Sequence, residues 1–207
     1  MTDNSSEFIR VYGVRHTDPQ NKQVLLDSVD SPAGPVFHEA ESPEKRKFTH
    51  SLVWAISAPG CLLATLLNYA GDTTEALSEC EKAAMALAER EGVSVTYLGL
   101  NRLERAKRTY FLHMICWTPL ALGPSLNISF IHSALLTAIL IIFDMPVGRW
   151  HEHRIREAAW AEKISARTSN DDSAVIIVGN KHLRSLAKRL SQGGFDVRTV
   201  SIYQKLR

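Results

Sequence analysis

The sequence predicts an α/β fold: a mixed, partly parallel central sheet flanked by helices, with a mainly helical apolar insertion. Short apolar runs alternate with helical patterns towards both ends of the chain, which favours a sheet with crossover helices. The middle of the chain, about residues 104–150, lacks this alternation and is apolar. With 207 residues, 45% hydrophobic and 22% charged, the composition suits one globular domain. We therefore expect a single domain over residues 1–207 with an insertion at about 104–150.

Strands and helices alternate in the first half of the chain. Short apolar or β-branched runs predict strands, and apolar residues that recur every three or four positions predict helices. The predicted strands are 8–12, 36–39 and 93–98. The predicted helices are 21–29, two short helices within 47–69 around Ala58-Pro59-Gly60, and one that begins at the capping residues Gly71-Asp72-Thr73 and ends near Gly92.

The second half begins with an arginine-rich helix near residue 101 and continues into the apolar region. Its end repeats the alternation of the first half, and Gln192-Gly193-Gly194 marks a turn. The predicted elements there are a helix at 154–166, a strand at 174–178, a helix at 183–190 and a strand at 195–202.

Residues 126–143, LNISFIHSALLTAILIIF, contain no formal charge, which reaches the lower length limit of about 18 residues for a membrane-spanning helix. Polar residues such as Asn127, Ser129 and Thr137 dilute the segment, and GRWHEHR follows it with a basic flank. We favour a buried or partner-facing helix here over a membrane span. Self-association through this apolar surface is the intermediate alternative.

Charge and cysteine usage point to no special partner or compartment. The net charge is +2, and from Lys181 onward seven Lys or Arg stand against Asp196 alone. A solvated helix face explains this basic stretch better than nucleic-acid binding, because no aromatic residues are interleaved for stacking. Cys61, Cys80 and Cys116 form no C-x-x-C pair and are expected to be reduced core thiols. The polar start MTDNSSEFIR is not a secretory signal, so we expect a cytoplasmic protein.

A G-x-x-H unit follows an apolar run twice, as Gly13 with His16 and as Gly179 with His182. In open parallel sheets, ligands bind outside the carboxyl ends of the strands, where both units are predicted to lie. A glycine there would allow a sharp turn without a Cβ clash, and each histidine would stand where the chain enters the next helix. The two units therefore predict two imidazoles aimed at one space.

Two acids are candidates for the same site. Glu39 ends the second predicted strand, and a carboxylate among imidazoles can bind a divalent metal or act as a general base. The alternative for Glu39 is a solvated loop acid. Glu75 lies in the first turn of its predicted helix, where the helix dipole favours an acid for structural reasons alone.

The order of these pieces resembles the TraB/PrgY family, which is grouped with Tiki proteases, ChaN-like proteins and erythromycin esterases. The pieces are GVRH, FHEAESPEKR, GDTTEALSECEKAAMALAEREGVSVTYLGLNRLERAKR, REAAWAEKI and VIIVGNKHLRSLAKRL. The resemblance covers most of residues 8–202 except about 110–148. Two positions depart from the family pattern: Leu100-Asn101-Arg102 stands where the family usually has an Asp-Arg pair, and Trp160 replaces a methionine.

The resemblance implies hydrolysis of peptide or ester bonds, in some relatives with a divalent metal and in others without one. It implies a metal site at His16, Glu39 and His182, for Mn, Co or Zn, and further site residues at Glu75 and Arg156. Arg156 or Arg102 would offset charge that develops on a carbonyl oxygen.

The competing hypothesis is a binding protein on the same scaffold that does not turn over a substrate. It would self-associate or attach to a membrane through residues 110–143, and we expect a homo-oligomer. Nucleic acid is the least expected partner, through the basic C-terminal third alone.

Overall fold

The structure is a computed structural model, and it confirms the α/β prediction. It describes residues 8–14, 18, 20–29, 34–42, 48–63, 79–169 and 172–202. The chain divides into two compact units: the first contains residues 1–42, 74–99 and 156–207, and the second contains 43–73 and 100–155. The second unit includes the predicted insertion and also residues 43–73.

The first unit is built on a five-stranded sheet in the order β3-β2-β4-β1-β5. The strands are β1 (Ile9–Val14), β2 (Val36–His38), β3 (Val95–Tyr97), β4 (Ala174–Gly179) and β5 (Val197–Ser201). Every described pairing is parallel, so the predicted mixed sheet is replaced by an all-parallel one. All carboxyl ends therefore share one edge, at which Val14 pairs with Gly179 and His38 with Ile177.

Helices cover both faces of the sheet, as a parallel sheet requires. Residues of β4 alternate between the two faces: Val175 and Ile177 pack on one side, and Ile176 and Val178 on the other. The first side is covered by α1 (Asn21–Ser28) and α3 (Glu79–Glu91). The second is covered by the C-terminal part of α6 (Phe130–Ser165) and by α7 (Leu183–Gln192).

The described residues of the second unit are mostly helical. Besides the first part of α6, it contains α2 (Phe48–Ser57), α4 (Arg102–Met114), α5 (Thr118–Leu122) and the short 3-10 segments Ile115–Trp117 and Pro124–Leu126. Asn101 caps α4 through its side chain and forms a capping box with Glu104. We expected separate elements at 126–143 and 154–166, but α6 is one continuous helix that includes Pro146, a residue that ordinarily kinks or breaks a helix.

Of the two G-x-x-H glycines, Gly179 ends β4 as predicted, whereas β1 continues one residue beyond Gly13. Neither Gly13 nor Gly179 has a positive φ, unlike Gly34, Gly92 and Gly194. Gly13 lies inside β1, where a Cβ would come within 2.7 Å of Asn180 Oδ1 and 2.9 Å of Leu183 Cδ2. A glycine is needed at residue 13 because the β4–α7 turn packs directly over it.

Gly99 provides a test of this unit's packing. A Cβ there would overlap backbone atoms of Ala40 and Glu41, which cannot shift as a flexible side chain can. We expect Gly99→Ala to lower the free energy of unfolding by about 1–3 kcal/mol. Gly193→Ala is the matched control, because its Cβ would meet nothing nearer than Leu190 O at 3.2 Å. Denaturant unfolding followed by circular dichroism measures both, and equal effects would contradict this account.

Candidate functional site

The candidate site lies at the carboxyl edge of the sheet, where β2 and β4 end. Glu39 follows β2, is 5% exposed, and its Oε2 accepts a hydrogen bond of 2.8 Å from the amide of Gly179. The carbonyl of the same Gly179 accepts from the amide of His182 at 2.8 Å. The Glu39 side chain and the His182 backbone are therefore both hydrogen-bonded to Gly179. Because Glu39 is buried, it is not the solvated loop acid of the alternative prediction.

His182 precedes α7 directly and is buried, at 5% exposure. Its Nδ1 lies 2.8 Å from Oε1 of Glu157, a buried residue of α6. Because an ionised carboxylate can only accept hydrogen bonds, Nδ1 carries the ring proton and donates a hydrogen bond to Glu157. In the neutral ring, the lone pair is then on Nε2, which is the arrangement found in general bases and in metal-binding histidines.

Glu157 remains ionised despite its burial. Burial alone raises the pKa of this carboxyl, but hydrogen bonds from His182 and Ser185 and the charges of His182 and Arg189 outweigh it, so the pKa is lowered. Arg189 Nε lies 4.0 Å from Oε2 of Glu157. The carboxylate is therefore available to orient His182 and to stabilise its protonated form.

One aromatic side chain contacts both His182 and Arg156. The ring of Trp160, which is fully buried, meets the ring of His182 edge to face with centroids 5.0 Å apart. The guanidinium of Arg156 lies 4.8 Å from the centroid of Trp160. Arg156 thus belongs to the surroundings of His182, and the Trp160 ring limits the room around the imidazole.

A second histidine, His38, ends β2 beside a thiol. Its Nδ1 accepts from the amide of Ala40 at 3.4 Å, so Nε2 carries the proton and donates to Cys80 Sγ at 3.1 Å. Burial, followed by the charges of Glu39 and Glu81, raises the pKa of Cys80 well above its usual value. A neutral buried thiol is a poor nucleophile, which argues against a cysteine-hydrolase arrangement at Cys80.

The predicted reduced core thiols are confirmed: Cys61, Cys80 and Cys116 are buried and form no disulfide.

The described residues supply part of the predicted metal site. Glu39 presents a carboxylate and His182 an imidazole oriented by Glu157, which are donor types suited to Mn, Co or Zn. In the part of the chain that the structure describes, no three His, Cys, Asp or Glu side chains converge as a metal site. The predicted third ligand, His16, lies outside the described residues, as does Glu75. Two of the three predicted metal ligands, Glu39 and His182, are therefore of suitable types, and the third lies outside the described residues.

Arg102 is the predicted site residue that belongs to the second unit. It begins α4, is exposed, and its guanidinium lies 5.9 Å from the centroid of the Trp54 ring. Its role towards a carbonyl oxygen stays a prediction.

Sequence reasoning missed Glu157, although REAAWAEKI contains a signal for it. Glu157, Trp160 and Ile164 are spaced three and four residues apart, so they share one helical face. Trp160 and Ile164 belong to the core. An acid on the core face of a helix requires a partner, and a histidine is a suitable one.

Comparison with models of protein families gives no match, and neither does comparison with curated proteins or with solved structures. The resemblance to the TraB/PrgY family therefore stays a prediction from the order of the motifs.

The His182–Glu157 pair predicts a pH-dependent stability. Glu157→Gln removes the charge from a buried hydrogen-bonded pair, and we expect it to cost about 1–3 kcal/mol of unfolding free energy at pH 7. Because the folded pKa of Glu157 lies below the ordinary value of 4.5, its stabilisation is complete above that value. It is lost as the pH falls through the folded pKa.

The difference between wild type and Glu157→Gln should therefore shrink below about pH 4.5, as measured by denaturant unfolding at a series of pH values. Glu162→Gln is the control, since Glu162 is an exposed acid of the same helix. A difference of constant size down to acid pH would argue against the assigned pair.

Proposed function

We propose that this chain is a metal-assisted hydrolase of peptide or ester bonds on a TraB/Tiki-like scaffold. The observation that carries the proposal is the buried pair of His182 and Glu157 at the carboxyl edge of a parallel sheet, beside the buried carboxylate of Glu39. Hydrolysis needs a group that takes a proton from water, and an imidazole oriented by a carboxylate performs this role in many enzymes.

The described side chains divide the work. Glu157 fixes the His182 tautomer, so that Nε2 can accept the proton of an attacking water, and the carboxylate stabilises the imidazolium that forms. Arg156 provides a positive charge in the same surroundings, which can offset charge that develops on a carbonyl oxygen. Glu39 fixes the end of β4 through the Gly179 amide and offers its carboxylate as a ligand.

A divalent ion held by His16, Glu39 and His182 would polarise the scissile carbonyl and lower the pKa of a bound water. One Nε2 lone pair cannot both bind the ion and accept a proton, so ligand and general base are alternative uses of His182, and each requires the neutral imidazole.

The decisive experiment is elemental analysis of the purified protein together with a panel of peptide and ester substrates, with and without chelator. We expect bound Mn, Co or Zn in the wild type, turnover that chelator abolishes, and loss of both in His16→Ala and His182→Ala. The fall in turnover should be on the order of 10²-fold or more. His132→Ala is the control, since His132 is an exposed histidine of the second unit.

Turnover without bound metal that still depends on His182 would replace the metal mechanism by a direct general-base mechanism. Absence of both metal and turnover across the panel would end the hydrolase proposal.

A second candidate function is binding without turnover, through self-association or membrane attachment at residues 110–143. Exposed apolar side chains favour it, among them Phe111 at 81% and Phe143 at 69% exposure. Under this function, His182→Ala would leave the association intact. Sedimentation of the wild type and of His182→Ala, each with and without detergent, measures the association.

We also propose that the first unit works in the cytoplasm. Its thiol, Cys80, is buried and reduced, as expected in a reducing compartment.

A further inference from the structure

The part of α6 from Phe130 to Glu152 is inverted with respect to a helix of a water-soluble protein. Its buried positions follow one stripe at intervals of four and seven residues, and they are small or polar: Ser133, Thr137, Asp144, Gly148 and Glu152. The outward positions are large and apolar: Phe130, Ile131, Leu135, Leu136, Ile139, Ile142, Phe143, Val147 and Trp150. Only 17% of its most apolar 18-residue window is buried. In water, the burial pattern should be the opposite.

The helix α4 and the segment after it show the same inversion. Their buried positions are Ala106, Thr109, His113, Cys116 and Gly123. Their exposed apolar residues are Tyr110, Phe111, Leu112, Met114, Ile115, Leu122 and Leu126. Large apolar side chains on the outside and polar ones inside are typical of helices whose solvent is lipid.

These two segments pair as an antiparallel hairpin. Arg105 forms an ion pair with Glu152, and Nδ1 of His113 lies 2.7 Å from Oδ2 of Asp144. Further along, a Cβ on Gly123 would overlap the side chain of Ser133. We call residues 109–147 the apolar hairpin. Its apex is the turn at 123–129. Its two termini, near residues 109 and 147, lie together at the side opposite the apex, which we call the base.

Three backbone amides of the apex are paired within the apex. The amides of Leu126 and Ile128 donate to the carbonyl of Gly123, and the amide of Asn127 donates to that of Pro124, at 2.9–3.2 Å. A turn that leaves the amides unpaired would be costly in or near a hydrocarbon layer. The polar side chains near this apex, at Ser125, Asn127, Ser129 and His132, suit the headgroup region.

Charge is concentrated at the base. Residues 101–108 and 149–155 contain six Lys or Arg and two Glu, whereas between Thr109 and Gly148 the only residue with a formal charge is Asp144. Within the hairpin, His113 pairs with that aspartate. A basic collar next to an apolar segment is complementary to anionic headgroups.

The length of the hairpin fits the same partner. From Phe130 to Gly148, α6 rises by about 28 Å at 1.5 Å per residue, close to the roughly 30 Å thickness of a bilayer's hydrocarbon core. The basic base and the polar apex are thus separated by about one hydrocarbon layer.

We propose that the apolar hairpin crosses the hydrocarbon core of an anionic bilayer, entering and leaving on one side with its basic base against the headgroups. The apex then reaches the opposite headgroup region. This inference holds whether or not the first unit hydrolyses a substrate, and its test involves no activity measurement.

The test is synthesis of the full chain in a cell-free system with sealed vesicles of phosphatidylcholine alone or with phosphatidylglycerol, followed by flotation. We expect the chain to float, to resist extraction by high salt and by alkali, and to prefer the anionic vesicles. Leu136→Asp should reduce the floating fraction at least tenfold, because a carboxylate near the bilayer centre is costly. Met85→Asp is the matched control: the two side chains are 44% and 45% exposed, but Met85 lies on α3 of the first unit.

Two further variants test orientation and charge. Leu126→Cys places a thiol at the apex, and we expect a membrane-impermeant maleimide to label it only after the vesicles are permeabilised. Arg108→Cys, at the base, should react at once, while the three native cysteines are buried. The double variant Lys107→Ala with Arg108→Ala should lose part of the preference for anionic vesicles.

Three results would overturn the inference. One is a chain that stays at the bottom of the gradient as a discrete dimer, which would make a second copy the partner of the apolar face. Another is immediate labelling of Leu126→Cys in sealed vesicles. The third is equal flotation of wild type and Leu136→Asp.

Discussion

Parallel pairing of β1 with β4 is the constraint on which the first unit depends. Six residues of each strand are in register, from Ile9 with Ala174 to Val14 with Gly179, so segments from opposite ends of the chain form the centre of the sheet. Because all described strands run the same way, their carboxyl ends meet at one edge, and Glu39, His38 and His182 collect there. Both the core and the candidate site follow from that one pairing.

Local periodicity was enough to predict the strands and most helices, because a two-residue or a 3.6-residue repeat is a property of neighbouring residues. Strand direction is not local, which is why a mixed sheet was predicted where the structure has a parallel one. The site was predictable in part: Glu39 and His182 follow strands, but the partner of His182 lies on α6, and only tertiary packing brings Glu157 to it. The continuity of α6 through Pro146 could not be foreseen either, since tertiary contacts outweigh the local cost of the proline.

Each of the two units contains a buried carboxylate that is hydrogen-bonded to a buried histidine. His182 meets Glu157 in the first unit, and His113 meets Asp144 in the second. The surroundings differ: Glu157 also has Arg189 nearby and lies at a sheet edge where ligands bind, whereas the His113 pair is packed against Gly60 and Gly148 with no room for a Cβ. Such close packing leaves little space for a substrate, so the second pair suits the cohesion of helices and the first suits chemistry.

One of the two border strands, β5, has a consequence for how copies of the chain can meet. In the described part of the sheet it pairs only with β1, which leaves one row of backbone donors and acceptors open. The strand is short, and Arg198 and Thr199 on it are exposed. A short border strand with a cation disfavours edge-to-edge polymerisation, in which a neighbouring molecule continues the ladder. Extension of the ladder at the β5 border is therefore disfavoured, and contacts between copies on that side should use side-chain surfaces.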